Sequence, residues 1–101
     1  MSQPKALSPA EATNQLNQLA VNGTIKLSAH CQHDSMPTRN ILFVDIVHLL
    51  ATGTVTRRPE WSDQYQQWKY RLQGQDSLGD DLTGITVIFD ANYTVLVITV
   101  F

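Results

Sequence analysis

At 101 residues the chain is the size of one domain, and 43% hydrophobic against 16% charged residues suffice for a single core. Its formal charge of -2 and pI near 5.8 count against a dedicated nucleic-acid binder, whose affinity comes from neutralising phosphates, and leave only a local basic patch for that role. A single cysteine, Cys31, excludes an internal disulfide; no run approaches the roughly 18 apolar residues of a membrane span, and Met1 to Leu7 lacks the layout of a secretory signal, so a cytoplasmic location without membrane contact is expected.

Residues 1–7 are expected to fray. Ser8-Pro9-Ala10-Glu11 then reads as a capping box with proline at the first helical position. Ala12, Leu16, Leu19 and Ala20 recur at helical spacing, and Asn22-Gly23 is expected to end the helix with the glycine left-handed. Thr24 to Ser28 alternates Ile25 and Leu27 with polar residues, as a short strand would. Ala29 to Ser35 suits a helical turn or two, stopped by Pro37. From Ile41 to Thr52 only Asp45, His48 and Thr52 are polar, and their spacing puts them on one narrow face of a second, buried helix closing at Gly53.

The period then changes to two. Thr54 to Arg58 is expected as a strand and Pro59 to Asp63 as a turn. Across Gln67 to Gln73, Trp68, Tyr70 and Leu72 face one way and Lys69 and Arg71 the other. Gly74 to Asp81 reads as an acidic loop. Leu82 to Phe89 and Tyr93 to Phe101 flank Asp90-Ala91-Asn92 as a hairpin, the last run apolar on both faces like a central strand. With no repeat or linker, residues 1–101 read as one α+β domain: two N-terminal helices on one face of a mostly antiparallel sheet of three to five strands.

His30-Cys31-Gln32-His33-Asp34 offers metal-ligating types, but a structural metal site draws pairs from two segments and no second cluster exists, so a polar turn around a small thiol is the simpler reading and no metal or cofactor is expected. The histidines also suit metal-free acid–base chemistry. RNA cleavage needs a base for the ribose 2′-hydroxyl, an acid for the leaving 5′-oxygen, and cations for the charge gathering on phosphorus. His30, Arg39, Lys69 and Arg71 have that chemistry. Arg57-Arg58, beside Lys69 and Arg71, is the best basic patch, and Trp61, Tyr65 and Trp68 are near enough in sequence to stack bases. Each has an ordinary alternative: a wet strand face for Lys69 and Arg71, a helix cap or an Asp45 partner for Arg39, core for Trp68, terminal carbonyls for His48. Walker loop, nucleophile elbow, dinucleotide fingerprint and CxxC pair are absent.

The set His30, Met36, Arg39, Ile41, Asp45 and Gly53, closed by Ile98-Thr99-Val100-Phe101, resembles the short bacterial proteins grouped as domain-of-unknown-function family 4258, whose pattern runs His-Ala-x-x-x-Met-x-x-Arg-x-Ile, then a helix, a glycine and a terminal Ile-Thr-Val strand. Cys31 stands in place of the alanine, Met36 comes about one residue late, and Leu42 replaces a capping serine or threonine. The layout also resembles the MqsR group of messenger-RNA-cleaving toxins within the RelE-like (barnase-EndoU-colicin-RelE) fold, through a first helix ending Asn-Gly, the Tyr70-Arg71 pair, and Ile85-Thr86-Val87-Ile88 before Asp90. That likeness implies a metal-independent endoribonuclease paired with an antitoxin, and places Gln67 at the group's catalytic glutamine. The group's tyrosine falls on Leu82 and its C-terminal lysine on Phe101, so catalysis would rest on His30, Arg39, Lys69 and Arg71. Arg57, Arg58, Tyr70 and His33 would contact substrate. The expected partners are RNA and a cognate antitoxin or other protein, with no DNA. The rivals are a non-catalytic binding, regulatory, antitoxin- or immunity-like protein on the same scaffold and, behind it, a small metalloenzyme centred on His30 and His33.

Overall fold

The computed structural model describes residues 3–101. Helix α1 spans Pro9–Asn22 behind the expected capping box: Ser8 Oγ accepts from the Glu11 N–H at 3.1 Å, and Glu11 Oε1 accepts from the Ser8 N–H at 2.9 Å. The chain before it contacts Trp68 and Tyr70. The Pro4 carbonyl accepts from Trp68 Nε1 at 2.7 Å and the Leu7 N–H donates to Tyr70 Oη at 2.9 Å, two contacts within the stretch expected to fray; Met1 and Ser2 lie outside the described residues. Gly23 is not left-handed either, with φ -105°. Its smallness is what the fold uses, because a Cβ there would sit 2.6 Å from both Leu19 Cδ2 and the Tyr93 carbonyl.

Strand β1 (Thr24–Leu27) follows, then a π-helix (Cys31–Ser35) running into the short α2 (Met36–Thr38). Pro37 therefore does not stop the helix. It occupies the first turn of α2, where a proline ring fits and its missing N–H costs little. The end comes at Asn40, left-handed at φ 54°, with the Ile41 N–H donating back to the Met36 carbonyl at 2.8 Å. Helix α3 (Phe43–Thr52) starts two residues later than expected, because Ile41 turns into the core.

Strands β2 (Thr54–Val55), β3 (Glu60–Ser62), β4 (Gln67–Gln75), β5 (Asp81–Phe89) and β6 (Thr94–Val100) complete one sheet of six strands, not three to five. Its order is β1-β6-β5-β4-β2, with β3 also paired to β4. All pairs are antiparallel except β1 with β6. The expected turn after Pro59 is β3, since the proline precedes the strand and leaves its ladder intact. The run from Thr54 shortens to two residues. β6 is central, as its doubly apolar pattern required, and three helices replace the expected two.

Helices α1 and α3 cover one sheet face. Leu16, Ile46, Leu49 and Leu50 pack there on Leu72, Leu82, Val95 and Val97. The closest approach is at the end of α3, where a Cβ on Gly53 would lie 2.6 Å from the Leu49 carbonyl and 2.8 Å from Leu72 Cγ. Gly53→Ala should therefore cost about 1–3 kcal/mol, as overpacking does. A urea midpoint equal to wild type would show that the contact is not tight.

The first turn of α3 reverses the expected faces, while Thr52 at its end is exposed as expected. Asp45 is only 7% exposed, whereas Leu42, Phe43 and Val44 are 62%, 48% and 56% exposed. Asp45 turns inward because its Oδ2 accepts from the Leu42 N–H at 2.9 Å, capping the helix, while its Oδ1 accepts from the Ser77 N–H at 3.1 Å and from Ser77 Oγ. The loop between β4 and β5 is thereby pinned to α3, with Leu78 exposed at its tip. The His48 ring makes no hydrogen bond among the described residues; Thr52 Oγ1 donates to the His48 carbonyl. No helix among the described residues is long and apolar enough to cross a membrane.

Candidate active site

β4 sorts its side chains as the alternation predicts. Trp68, Tyr70 and Leu72 turn to the helices, and Lys69 and Arg71 turn to the opposite face. There Arg57, Arg58, Lys69 and Arg71 line a cleft of about 330 Å³ with Glu60, Ile85 and Phe101. None of these four cations forms an ion pair among the described residues. The arrangement follows from register: Lys69 lies beside Glu60 of β3 and Val87 of β5, and Arg71 beside Ile85.

A second cleft of about 230 Å³ is lined by His30, Asp34, Ser35, Thr38, Arg39, Val100 and Phe101. Past the end of β1 the π-helix runs alongside β6: Ser28 Oγ donates to the Ile98 carbonyl at 2.6 Å, and Ser35 Oγ and Thr99 Oγ1 hydrogen-bond at 2.7 Å. That packing sets His30 at the mouth of the cleft. Its Nδ1 lies 3.2 Å from Asp34 Oδ2 with both side chains exposed, which orients the ring and leaves Nε2 free. Arg39 neither caps α3 nor pairs with Asp45; its Nη2 donates to the Asp81 carbonyl at 2.9 Å.

Phe101 belongs to both clefts and joins them. A β-bulge puts it there. Thr86 pairs with Val97, but Ile85 pairs with Thr99, skipping Ile98. An unbroken register would set Phe101 beside Leu82 on the helix side. With the bulge, Phe101 exchanges both backbone hydrogen bonds with Thr83 (2.9 and 2.8 Å) and faces the cations. Its ring lies under the Arg71 guanidinium, with Cζ 5.1 Å from the centroid.

The expected residues thus fall into two clusters and three outliers. His30 and Arg39 share one cleft, Arg57, Arg58, Lys69 and Arg71 the other. Gln67 is opposite Ser62 on the cationic side but lines neither cleft. His33 is exposed on the π-helix outside both. Tyr70 is core: its hydroxyl holds the Leu7 N–H, and burial pushes its pKa up. Trp61 and Trp68 pack edge to face, centroids 5.3 Å apart, on the helix side, away from the cations. The aromatic that does face them, Phe101, has no signal in its neighbours, because the bulge decides its side. Glu60 was hidden by the expected turn.

Cys31 is wholly buried in the core, not beside the histidines, and burial pushes its thiol up to about 11. It should resist iodoacetamide in the native protein and react only on unfolding; prompt native alkylation would contradict this placement. No group of three or more His, Cys, Asp or Glu among the described residues has the geometry to hold a metal ion.

The chain matches no family model, no curated protein and no solved structure.

Proposed function

We propose that this protein is a toxin-like, metal-independent endoribonuclease of RelE-like architecture, acting in the cytoplasm and held in check by a cognate antitoxin or another protein partner. One observation carries the reading. In a chain of net charge -2, five of the seven Lys and Arg residues line two clefts that meet at one aromatic ring, with a histidine–carboxylate pair at the far side. Unpaired cations gathered in a cleft cost self-repulsion, which a polyanion relieves. An RNA strand crossing this face would rest its phosphates on Arg57, Arg58, Lys69 and Arg71 and one phosphodiester near His30. His30 would take the proton of the ribose 2′-hydroxyl as that oxygen attacks phosphorus and return it to the leaving 5′-oxygen, with Arg39 of the same cleft stabilising the charge on phosphorus.

Binding and cleavage are tested separately. A labelled single-stranded RNA should bind with a salt-dependent affinity, and Arg57→Ala with Arg58→Ala should lower the slope of log K against log salt by about 0.7 per cation removed. An unchanged slope would remove these arginines from the path of the strand.

A second reading, a protein-binding module without catalysis, is favoured by the exposed Leu42, Phe43, Val44 and Leu78, an apolar surface beside the acidic β4–β5 loop. RNA left intact after prolonged incubation with a chelator would select it.

A further inference from the structure

We propose that Arg71 and Phe101 form a mononucleotide subsite, in which Arg71 Nε takes a phosphate oxygen and the Phe101 ring takes the attached base. This rests on the ribonuclease reading only for RNA as the source of the nucleotide. Arg71 Nε is the one buried side-chain polar atom among the described residues with no hydrogen-bond partner. A buried N–H without an acceptor is a standing cost, and an arriving phosphate oxygen removes it. The donor is a guanidinium, so the bond is charge-assisted and directional, with a neighbouring Nη available for a second oxygen.

Phe101 is the complementary half. Its backbone is fixed to Thr83 by hydrogen bonds on both sides, while the residue is 48% exposed. A rotation about its own side-chain torsions therefore uncovers Nε without moving the sheet. The ring then presents a face to an unstacked base, over the apolar floor of Ile85, which lies beside Arg71 in the ladder. Because only an unpaired base offers its face, the subsite selects single strands over duplex. Lys69 and the Arg57-Arg58 pair hold the next phosphates on one side; the His30 cleft receives the chain on the other.

The test uses adenosine 5′-monophosphate, adenosine and orthophosphate as probes of the full chain, read by the Arg71 Nε–Hε resonance and by titration. Adenosine 5′-monophosphate should shift that resonance and bind more tightly than either adenosine or orthophosphate. Phe101→Ala should weaken the nucleotide about 5- to 150-fold, the range of one base–aromatic stack, and leave orthophosphate unweakened. Arg71→Lys, which keeps the charge but lacks Nε, should weaken both. Phe101→Trp should restore nucleotide binding, which separates stacking from any loss of folding. Equal affinities for nucleotide and orthophosphate, or no effect of Phe101→Ala, would overturn the subsite, even in a protein that cleaves RNA. Nucleotide binding with these signatures in a protein that leaves RNA intact would uphold the subsite and remove the ribonuclease.

Discussion

His30→Ala should lower metal-free RNA cleavage by roughly 10²- to 10⁴-fold, the range expected when a positioned acid–base group is removed. The ring is exposed and its one side-chain partner is Asp34 at 3.2 Å, so the substitution should leave stability within about 0.5 kcal/mol of wild type. RNA binding should persist, because the cations lie in the neighbouring cleft. The measurement is cleavage of a labelled single strand in excess chelator, beside thermal unfolding of both proteins. Asp34→Asn should show a smaller loss, because Asp34 would act through the orientation of the His30 ring. Cleavage by His30→Ala at the wild-type rate would end the proposed role of His30.

Asp45→Ala should be among the most destabilising single polar substitutions, costing about 2–3 kcal/mol because it removes the charged acceptor that the Leu42 N–H, the Ser77 N–H and the Ser77 hydroxyl now share. For a domain of this length that is a fall in Tm of about 10–20 °C. The hydrogen bonds from Ser77 and Leu42 hold the Asp45 pKa below the ordinary carboxylate value. A lowered folded-state pKa contributes stability that is fully present above the unfolded value of about 3.9 and is lost as pH falls through the folded one. Asp45→Asn should therefore flatten the acid limb of the stability curve relative to wild type, with the two proteins converging only as the pH falls through the folded-state pKa of Asp45. Parallel curves from pH 7 to pH 3 would show that the charge of Asp45 is not what the cap and the loop use.

The parts of the fold that could be read from sequence are those whose cause is local. The Ser8–Glu11 box, the helical period of Leu16 and Leu19, and the two apolar runs around Asp90 each state their own structure within a few residues. What could not be read depends on distant partners. β1 pairs parallel with β6 across some seventy residues, and nothing in Thr24–Leu27 names that neighbour. β3 was concealed by Pro59, and the inward turn of Asp45 by Ser77, whose N–H and hydroxyl lie thirty-two residues on. At the site the residue types were legible, but their grouping was not. Alternation along β4 already separated Tyr70 from Lys69 and Arg71, an argument against placing it with them. The meeting of the clefts at Phe101 depends on a single skipped residue, Ile98, which the sequence does not mark.

The π-helix fixes how His30 and Met36 are spaced. Met36 follows His30 by six positions. Between them the Met36 N–H donates to the Cys31 carbonyl, a bond five residues back where an α-helix would reach four. The widened turn absorbs one residue without opening a loop, so His30 stays at its cleft and Ser35 stays against Thr99. The residue count between His30 and Ser35 is thus accommodated by helical pitch, with the backbone hydrogen bonding kept through the turn.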